Sequence, residues 1–266
     1  MTPPITTGSH LDTGDRRLPQ ATATAVLAAV EEAVRSALPG TRAVLLSAEL
    51  EVHAPEALSA SAPASAPEHR LRAIVTALAP SPAGARAEVA AAVLPGTGSD
   101  PADSDPIAHV RLAFATDLPA PDGLLCPGSK AWTTELGERL RADEEFARLI
   151  ETYDGTIGLA IGGREVHLRC YRGSVIEASS RSVLGADFVL SIPGDEFIAL
   201  VQADHNTFME AAMLRRVSST GSGYEYLRMT NALVRIIDIC RDIAVDAGYA
   251  DACADRVART TVLEEA

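Results

Sequence analysis

Aromatic residues are confined almost entirely to the second half of this chain. The sequence contains one Trp, five Tyr and five Phe, and of these only Phe114 precedes residue 130. Any core formed before that point must therefore be built mainly from Ala, Val, Leu and Ile. Because such a change within one compact core would be unusual, we expect two domains. A length of 266 residues is compatible with this, since domains commonly contain about 100–200 residues.

A segment rich in Pro and Gly lies where the composition changes. Residues 117–130 (DLPAPDGLLCPGSK) contain three prolines and two glycines, which is typical of a linker. Both halves are acidic, so charge does not separate them. The predicted organisation is a disordered tail over 1–18, a first domain over 19–116, the linker over 117–130, a second domain over 131–247 and a C-terminal tail over 248–266.

Charge and hydropathy exclude several classes of partner. The chain has 23 Lys and Arg residues against 36 Asp and Glu, giving a formal net charge of −13. This balance argues against nucleic acid or an anionic membrane surface as the main partner. Met1–Gln20 has no apolar region typical of a signal peptide, and no run approaches the roughly 18 apolar residues of a transmembrane helix. We expect no transmembrane segment.

The cysteines and histidines indicate neither a disulfide framework nor a metal site. The four cysteines are scattered, no two are spaced as Cys-x-x-Cys, and no His lies at ligand spacing from one. Such usage is typical of a reduced, cytoplasmic protein. We therefore expect a cytoplasmic protein that needs no metal and no cofactor. His53 and His109 are expected to be half-buried or solvent-facing strand residues.

The first half combines one helix with four strands. Thr22–Leu38 has apolar residues at three- and four-residue steps, which predicts an amphipathic helix. Strand-like runs follow at 43–53, 71–78, 85–94 and 107–115. In the last of these, Ala108, Val110, Leu112 and Phe114 share one face, and the other face includes His109 and Arg111. These observations predict a helix packed against an antiparallel sheet.

This pattern resembles the hot-dog fold of thioesterases and acyl dehydratases. The resemblance lies in SAELEVHAPE, RLRAIVTALAPSPAGARAEVAAAV and DPIAHVRLAFAT, which follow the helix. In that family a His-Gly-Gly step supplies oxyanion donors, and a carboxylate about nine residues later acts as base or nucleophile. The resemblance implies Glu31 or Glu32 as the catalytic carboxylate, although Thr22-Ala23-Thr24 replaces His-Gly-Gly. The alternative is that both glutamates lie on an exposed helix face.

Assembly into a homodimer is a further implication of the hot-dog resemblance. A hot-dog unit commonly leaves one sheet edge open, and pairing across a two-fold axis covers it. The short aliphatic side chains of this half also bury little area per residue, so a lone domain of roughly 100 residues would be marginally stable. We therefore expect a homodimer formed by the N-terminal domain.

The second half has a different order of elements. Trp132–Ile150 reads as a helix, and alternating apolar residues with turns at Gly162-Gly163 and Arg172-Gly173 predict a three-stranded meander. A fourth strand at 186–192 leads into a helix that opens at Pro193-Gly194-Asp195-Glu196. A helix over 206–214, a short strand over 216–220 and one long helix over 224–247 complete the order.

This order resembles the sterol carrier protein family of lipid-binding domains. The resemblance covers about 131–244 and lies in ELGERLRADEEFARLIE, TIGLAIGGREVHLRCYRGSVIEA, GADFVLSIPGDEFIALVQ and MEAAMLRRVSSTGSGYEYLRMTNALVRII. It implies a mixed sheet covered by helices, with an apolar tunnel between them for a fatty-acyl chain or another lipid. The residues expected to line this tunnel are Leu159, Leu168, Phe188, Phe197, Val201, Phe208, Met209, Met213, Met229, Leu233 and Ile237. The alternative is that they simply fill a core.

The sequence as a whole predicts an α+β protein with two domains. The favoured function is binding or presenting an acyl, lipid-like or polyketide-like molecule, as an accessory protein in bacterial lipid or natural-product metabolism. One alternative is an enzyme acting on an acyl thioester through the hot-dog-like domain. Another is a natural-product cyclase that folds its substrate in an apolar pocket.

Overall fold

The chain forms two compact units in the computed structural model. The structure describes residues 7–11, 13, 23–38, 42–53, 70–81, 84–94, 107–116, 118, 126–182 and 185–252. Met1–Asp122 is the N unit and Gly123–Ala266 is the C unit. The division falls within the Pro- and Gly-rich segment 117–130. Each unit combines helix with sheet, so the predicted α+β class is confirmed.

The N unit consists of one helix and one antiparallel sheet. Its elements are β1 (His10–Leu11), α1 (Ala23–Ala37), β2 (Ala43–Val52), β3 (Arg70–Ser81), β4 (Gly84–Leu94) and β5 (Ala108–Thr116). The strand order is β1-β3-β4-β5-β2, and every neighbouring pair is antiparallel. The predicted helix and four strands are therefore confirmed. The hot-dog assignment itself remains a prediction.

Alternation along the strands builds the N-unit core. Val110, Leu112 and Phe114 share one face of β5 and are buried in the same apolar cluster as Val30 and Val34 of α1. The helix spacing of three and four residues and the strand spacing of two residues thus place both apolar surfaces in one core.

Strand β1 lies inside the segment predicted as a disordered tail, 1–18. His10 and Leu11 pair with Ile74 and Ala73 of β3. Two threonine hydroxyls strengthen this attachment: that of Thr13 donates to the Leu71 carbonyl, and that of Thr7 accepts from the Leu78 amide. These bonds use backbone groups of β3 that an uncovered edge would leave unpaired. The expectation of disorder is therefore wrong for residues 7–11 and 13.

The C unit is a mixed sheet with six helices among its described residues. Its elements are α2 (Lys130–Ala142), α3 (Glu144–Leu149), β6 (Asp154–Ile161), β7 (Arg164–Tyr171), β8 (Ser174–Ser179), β9 (Phe188–Ile192), α4 (Gly194–Gln202), α5 (Phe208–Met213), β10 (Ser218–Gly221), α6 (Gly223–Arg228) and α7 (Thr230–Asp246). The strand order is β10-β9-β6-β7-β8. Only β6 and β9 are parallel within it.

Two predicted long helices are each divided in two. Asp143 has an extended backbone between α2 and α3, and its side chain caps α3 by accepting from the Phe146 amide at 2.6 Å. Met229 separates α6 from α7. There the Thr230 hydroxyl donates to the Tyr226 and Leu227 carbonyls, a back-bonding pattern that often bends helices.

Part of the predicted C-terminal tail packs onto the C unit. The Tyr249 amide donates to the Ala244 carbonyl, and the Tyr249 side chain is buried. The tail prediction for 248–266 is thus wrong at its start. Residues 253–266 lie outside the described residues.

Candidate functional site

Nine of the eleven residues predicted to line a tunnel are buried inside the C unit. Three of them, Leu159, Leu168 and Phe188, lie on strands. Ile157 pairs with both Leu168 and Phe188 across the sheet, and Leu159 is two residues from Ile157 on the same strand. The three side chains therefore share one face of the sheet. The other six lie on the helical side. The nine buried residues are Leu159, Leu168, Phe188, Phe197, Val201, Phe208, Met229, Leu233 and Ile237.

The two remaining predicted residues lie on the outside of α5. Met209 is 45% exposed and Met213 is 73% exposed, and Leu214 directly after the helix is 62% exposed. Phe208 and Ala211 of the same helix are buried. Helix α5 therefore has apolar side chains on both its inner and its outer surface.

Helix α5 is joined to α7 through Asn206, which lies two residues before its first residue. The Asn206 Nδ2 donates to the Val234 carbonyl at 2.9 Å and to Asp238 Oδ1 at 2.8 Å. Its Oδ1 accepts from the Phe208 amide at 3.0 Å. The amide side chain thus fixes the start of α5. The sequence predicts Asp204 or Asn206 as the cap of this helix, but its pattern gives no sign of the bonds from Asn206 to α7.

Trp132 lies deep in the C unit with an unusual polar feature. Its side chain is fully buried, and its ring meets the Phe197 ring edge-on at a centroid distance of 6.0 Å. Its indole Nε1 is buried and has no hydrogen-bond acceptor within the part of the chain that the structure describes. Since buried Trp N–H groups usually find a partner, this donor is an exception. Sequence reasoning used Trp132 only to begin a helix.

Asp187 connects β9 to β6. Its Oδ2 accepts from the Tyr153 hydroxyl at 2.8 Å and from the Thr156 amide at 3.0 Å. Burial, and then the hydrogen bond to Asp187, raises the pKa of Tyr153. The phenol therefore stays neutral and continues to donate this hydrogen bond.

Two glycines make room for Asp187. A Cβ on Gly155 would lie 1.9 Å from Asp187 Oδ2, and one on Gly221 would lie 2.5 Å from the Asp187 carbonyl oxygen. Gly221 also has a φ of +91°, which side chains strongly disfavour. Both glycines are thus required by close approach.

Asp143 and Arg235 hold the α2–α3 junction against α7. Arg235 Nη2 lies 2.5 Å from Asp143 Oδ2, and Arg235 Nε donates to Oδ1 at 3.1 Å. This two-point pairing lowers the pKa of Asp143. The carboxylate is therefore stabilised in its charged form while it also caps α3.

Glu31, the predicted catalytic carboxylate, lies on α1 and is paired with Arg35. Arg35 also donates to the Ala43 carbonyl at 2.8 Å. Glu32 accepts from the Ser36 hydroxyl. Thr22 lies outside the described residues. The ion pair with Arg35 compensates the charge of Glu31 on this partly exposed helix face. A thioesterase role for Glu31 remains a prediction.

Two cysteines of the C unit, Cys170 and Cys240, are buried. Burial raises the pKa of the Cys170 thiol to about 12 and also raises that of Cys240, so both stay protonated at neutral pH.

In the N unit, His53 Nε2 and His109 Nδ1 lie 2.8 Å apart at the surface. Within the described ranges, no three His, Cys, Asp or Glu residues are grouped as metal ligands would be. No helix of those ranges is both long and apolar enough to cross a membrane.

The comparisons with known proteins give partial structural likenesses only. No protein-family model matches the chain, and no curated protein matches it. A crystal structure of sterol carrier protein 2 is similar with 16% sequence identity and a TM-score of 0.38, covering 43% of this chain and 97% of that one. A solution structure of sterol carrier protein domain 2 from Helicoverpa armigera has 16% sequence identity and a TM-score of 0.33, and the likeness covers 44% of this chain and 91% of that one. The UbiJ-SCP2 ubiquinone synthesis protein is similar with 10% sequence identity and a TM-score of 0.31, and the likeness covers 41% of this chain and 95% of that one.

Proposed function

We propose that the C unit binds a hydrophobic small molecule, an acyl, lipid-like or polyketide-like compound, beneath helix α5. The observation that carries this proposal is the double-sided apolar character of α5. Phe208 is fully buried on its inner side, whereas Met209 and Met213 are exposed on its outer side. An apolar path from the surface to the interior is what a hydrophobic ligand needs to enter.

The attachment of α5 supports a role as a movable cover. The helix has six residues, and helices this short have little stability of their own. Thr207 gives its first turn no side-chain cap, and Asn206 anchors only its start. Segments held by few contacts open at low free energy. Methionine side chains adapt to ligands of different shapes.

Binding is tested with the full chain and a fluorescent fatty acid, after mass spectrometry of any lipid that copurifies. We expect Met209→Gln combined with Met213→Gln to weaken binding about five-fold, because two apolar contacts worth roughly 1 kcal/mol together are lost. Ile176→Gln is the matched control, since Ile176 is 59% exposed on β8. No binding by the unmodified chain, or equal loss in the control, would contradict the proposal.

We also propose that the chain forms a homodimer through the N unit. Strand β2 is an edge strand of that sheet and exposes Val44 and Leu46. Leu46 is the additional residue of a bulge between Leu45 and Ser47. Sedimentation of the full chain should show a dimer, and Val44→Lys should shift it to monomer. A monomeric unmodified chain would rule the dimer out.

A further inference from the structure

The buried indole N–H of Trp132 requires a hydrogen-bond acceptor. A dehydrated donor without a partner is destabilising, and each such group in a folded protein needs an explanation. Trp132 lies in the first turn of α2, where Ser129 Oγ caps its backbone amide at 3.2 Å. The backbone amide of Trp132 is thus satisfied, whereas its indole donor is not.

The indole ring of Trp132 lies next to one of the residues of the proposed ligand site. Trp132 meets Phe197 edge-on, and Phe197 is one of the nine buried residues expected to contact the ligand. Leu136 and Leu140 follow Trp132 at four-residue steps and are also buried, so the helix face that carries the indole is otherwise apolar. A ligand that contacts Phe197 would therefore lie close to the indole ring in an apolar environment.

We propose that the Trp132 Nε1–H group donates a hydrogen bond to a neutral oxygen of the bound ligand, such as a ketone or ester carbonyl. This inference rests on the proposed function of the C unit. A single neutral donor compensates the desolvation of one neutral acceptor. A buried carboxylate would need several donors or a cation, since desolvating an ion is far more costly. The site therefore selects lipids with a neutral polar end.

Thr133 provides a matched control in the same helical turn. Its hydroxyl is likewise buried without a partner among the described residues. Consecutive helix positions differ by about 100°, and Gly137, four residues further on, faces Ala178 of β8. Thr133 therefore faces β8 rather than Phe197, so removing its hydroxyl should not affect the ligand.

The experiment uses the full chain and three probes of matched length: 2-undecanone, undecane and undecanoate. Affinity is measured by displacement of Nile red. The indole N–H resonance is followed by NMR, and it is unique because the chain has a single Trp. We expect 2-undecanone to move this resonance downfield, and undecane to bind without doing so. Trp132→Phe should weaken 2-undecanone binding about ten-fold, as loss of one hydrogen bond predicts, and undecane binding much less. Thr133→Val should change neither.

Each contrary result has a distinct meaning. Binding of 2-undecanone without movement of the indole resonance overturns the hydrogen bond but leaves the proposed function intact. A larger shift with undecanoate overturns the preference for a neutral oxygen. Failure of all three probes to displace Nile red, or failure of Nile red to bind, overturns the proposed function and this inference with it. The spectrum of the unmodified chain decides these cases even if Trp132→Phe fails to fold.

Discussion

The N unit and the C unit bury different kinds of side chain. Apart from Phe114, the apolar core formed by the described residues of the N unit contains only aliphatic side chains, many of them Ala and Val. The C unit fully buries Trp132, Phe146, Tyr153, Phe188, Phe197 and Phe208. Aromatic side chains each bury about 150–250 Å². The C-unit core therefore depends on several large groups, whereas the N-unit core depends on many small ones and one large one.

This difference determines where each unit is vulnerable. Alanine and valine at successive strand positions contribute little individually, and the long antiparallel ladders hold them in register. Phe114 contributes far more than any single neighbour. In the C unit, the aromatic core is joined by polar connections such as Asp187 with Tyr153 and Asp143 with Arg235. We expect substitutions of these connections to affect the C unit without affecting the N unit.

The largest effect is expected from Phe114→Ala. Truncating a fully buried Phe typically costs about 3–5 kcal/mol, which is enough to unfold a small domain. Circular dichroism should then show loss of the N-unit sheet. Emission of Trp132, which reports only on the C unit, should keep its unfolding midpoint. Phe114→Leu is the control and should lower stability by a smaller amount. An equal shift of the Trp132 transition would show that the two units do not unfold separately.

A smaller effect is expected from Asp187→Ala. The substitution leaves the Tyr153 hydroxyl and the Thr156 amide without their acceptor, which should cost the C unit about 2–3 kcal/mol. Tyr153→Phe removes one of the two bonds and should cost about 1 kcal/mol. Urea unfolding followed by Trp132 emission measures both. If Asp187→Ala is no worse than Tyr153→Phe, the connection between β9 and β6 contributes less than the geometry indicates.

The smallest effect, and one that depends on pH, is expected from Asp143→Asn. The pKa of Asp143 is lower in the folded chain than in the unfolded chain. The contribution of the charged Asp143 to the free energy of unfolding is therefore complete above the unfolded value of 3.8. It is lost as the pH falls through the lowered folded value. Asn still caps α3 but does not pair with Arg235. The variant should be about 1 kcal/mol less stable at pH 7. The urea midpoints of the two chains should converge as the pH falls further and further below 3.8, and a constant difference would argue against the ion pair.

The sequence predicted the elements with a clear period and missed those that depend on tertiary contacts. Helix α1 and strands β3 to β5 follow from spacings of three to four or two residues. The break at Asp143 depends on Arg235, which lies 92 residues away in the sequence. Strand β1 has only Leu11 as an apolar signal, because the threonines that attach it are polar. The spacing of apolar residues also could not show whether Met209 and Met213 face the core or the solvent, because α5 has apolar residues on both of its surfaces. The unpartnered indole of Trp132 leaves no trace in the sequence at all.

The close packing around Asp187 determines which sequence changes the C unit tolerates. In a saturation mutagenesis library selected for folded protein, positions 155 and 221 should retain glycine alone, since any Cβ collides with Asp187 or its backbone. Gly223 lies only two residues beyond Gly221, yet a Cβ there would meet nothing within 4 Å. Position 223 should accept many residues, and alanine there should enrich because it favours helix α6. Three glycines that look alike in the sequence would thus give opposite mutational profiles.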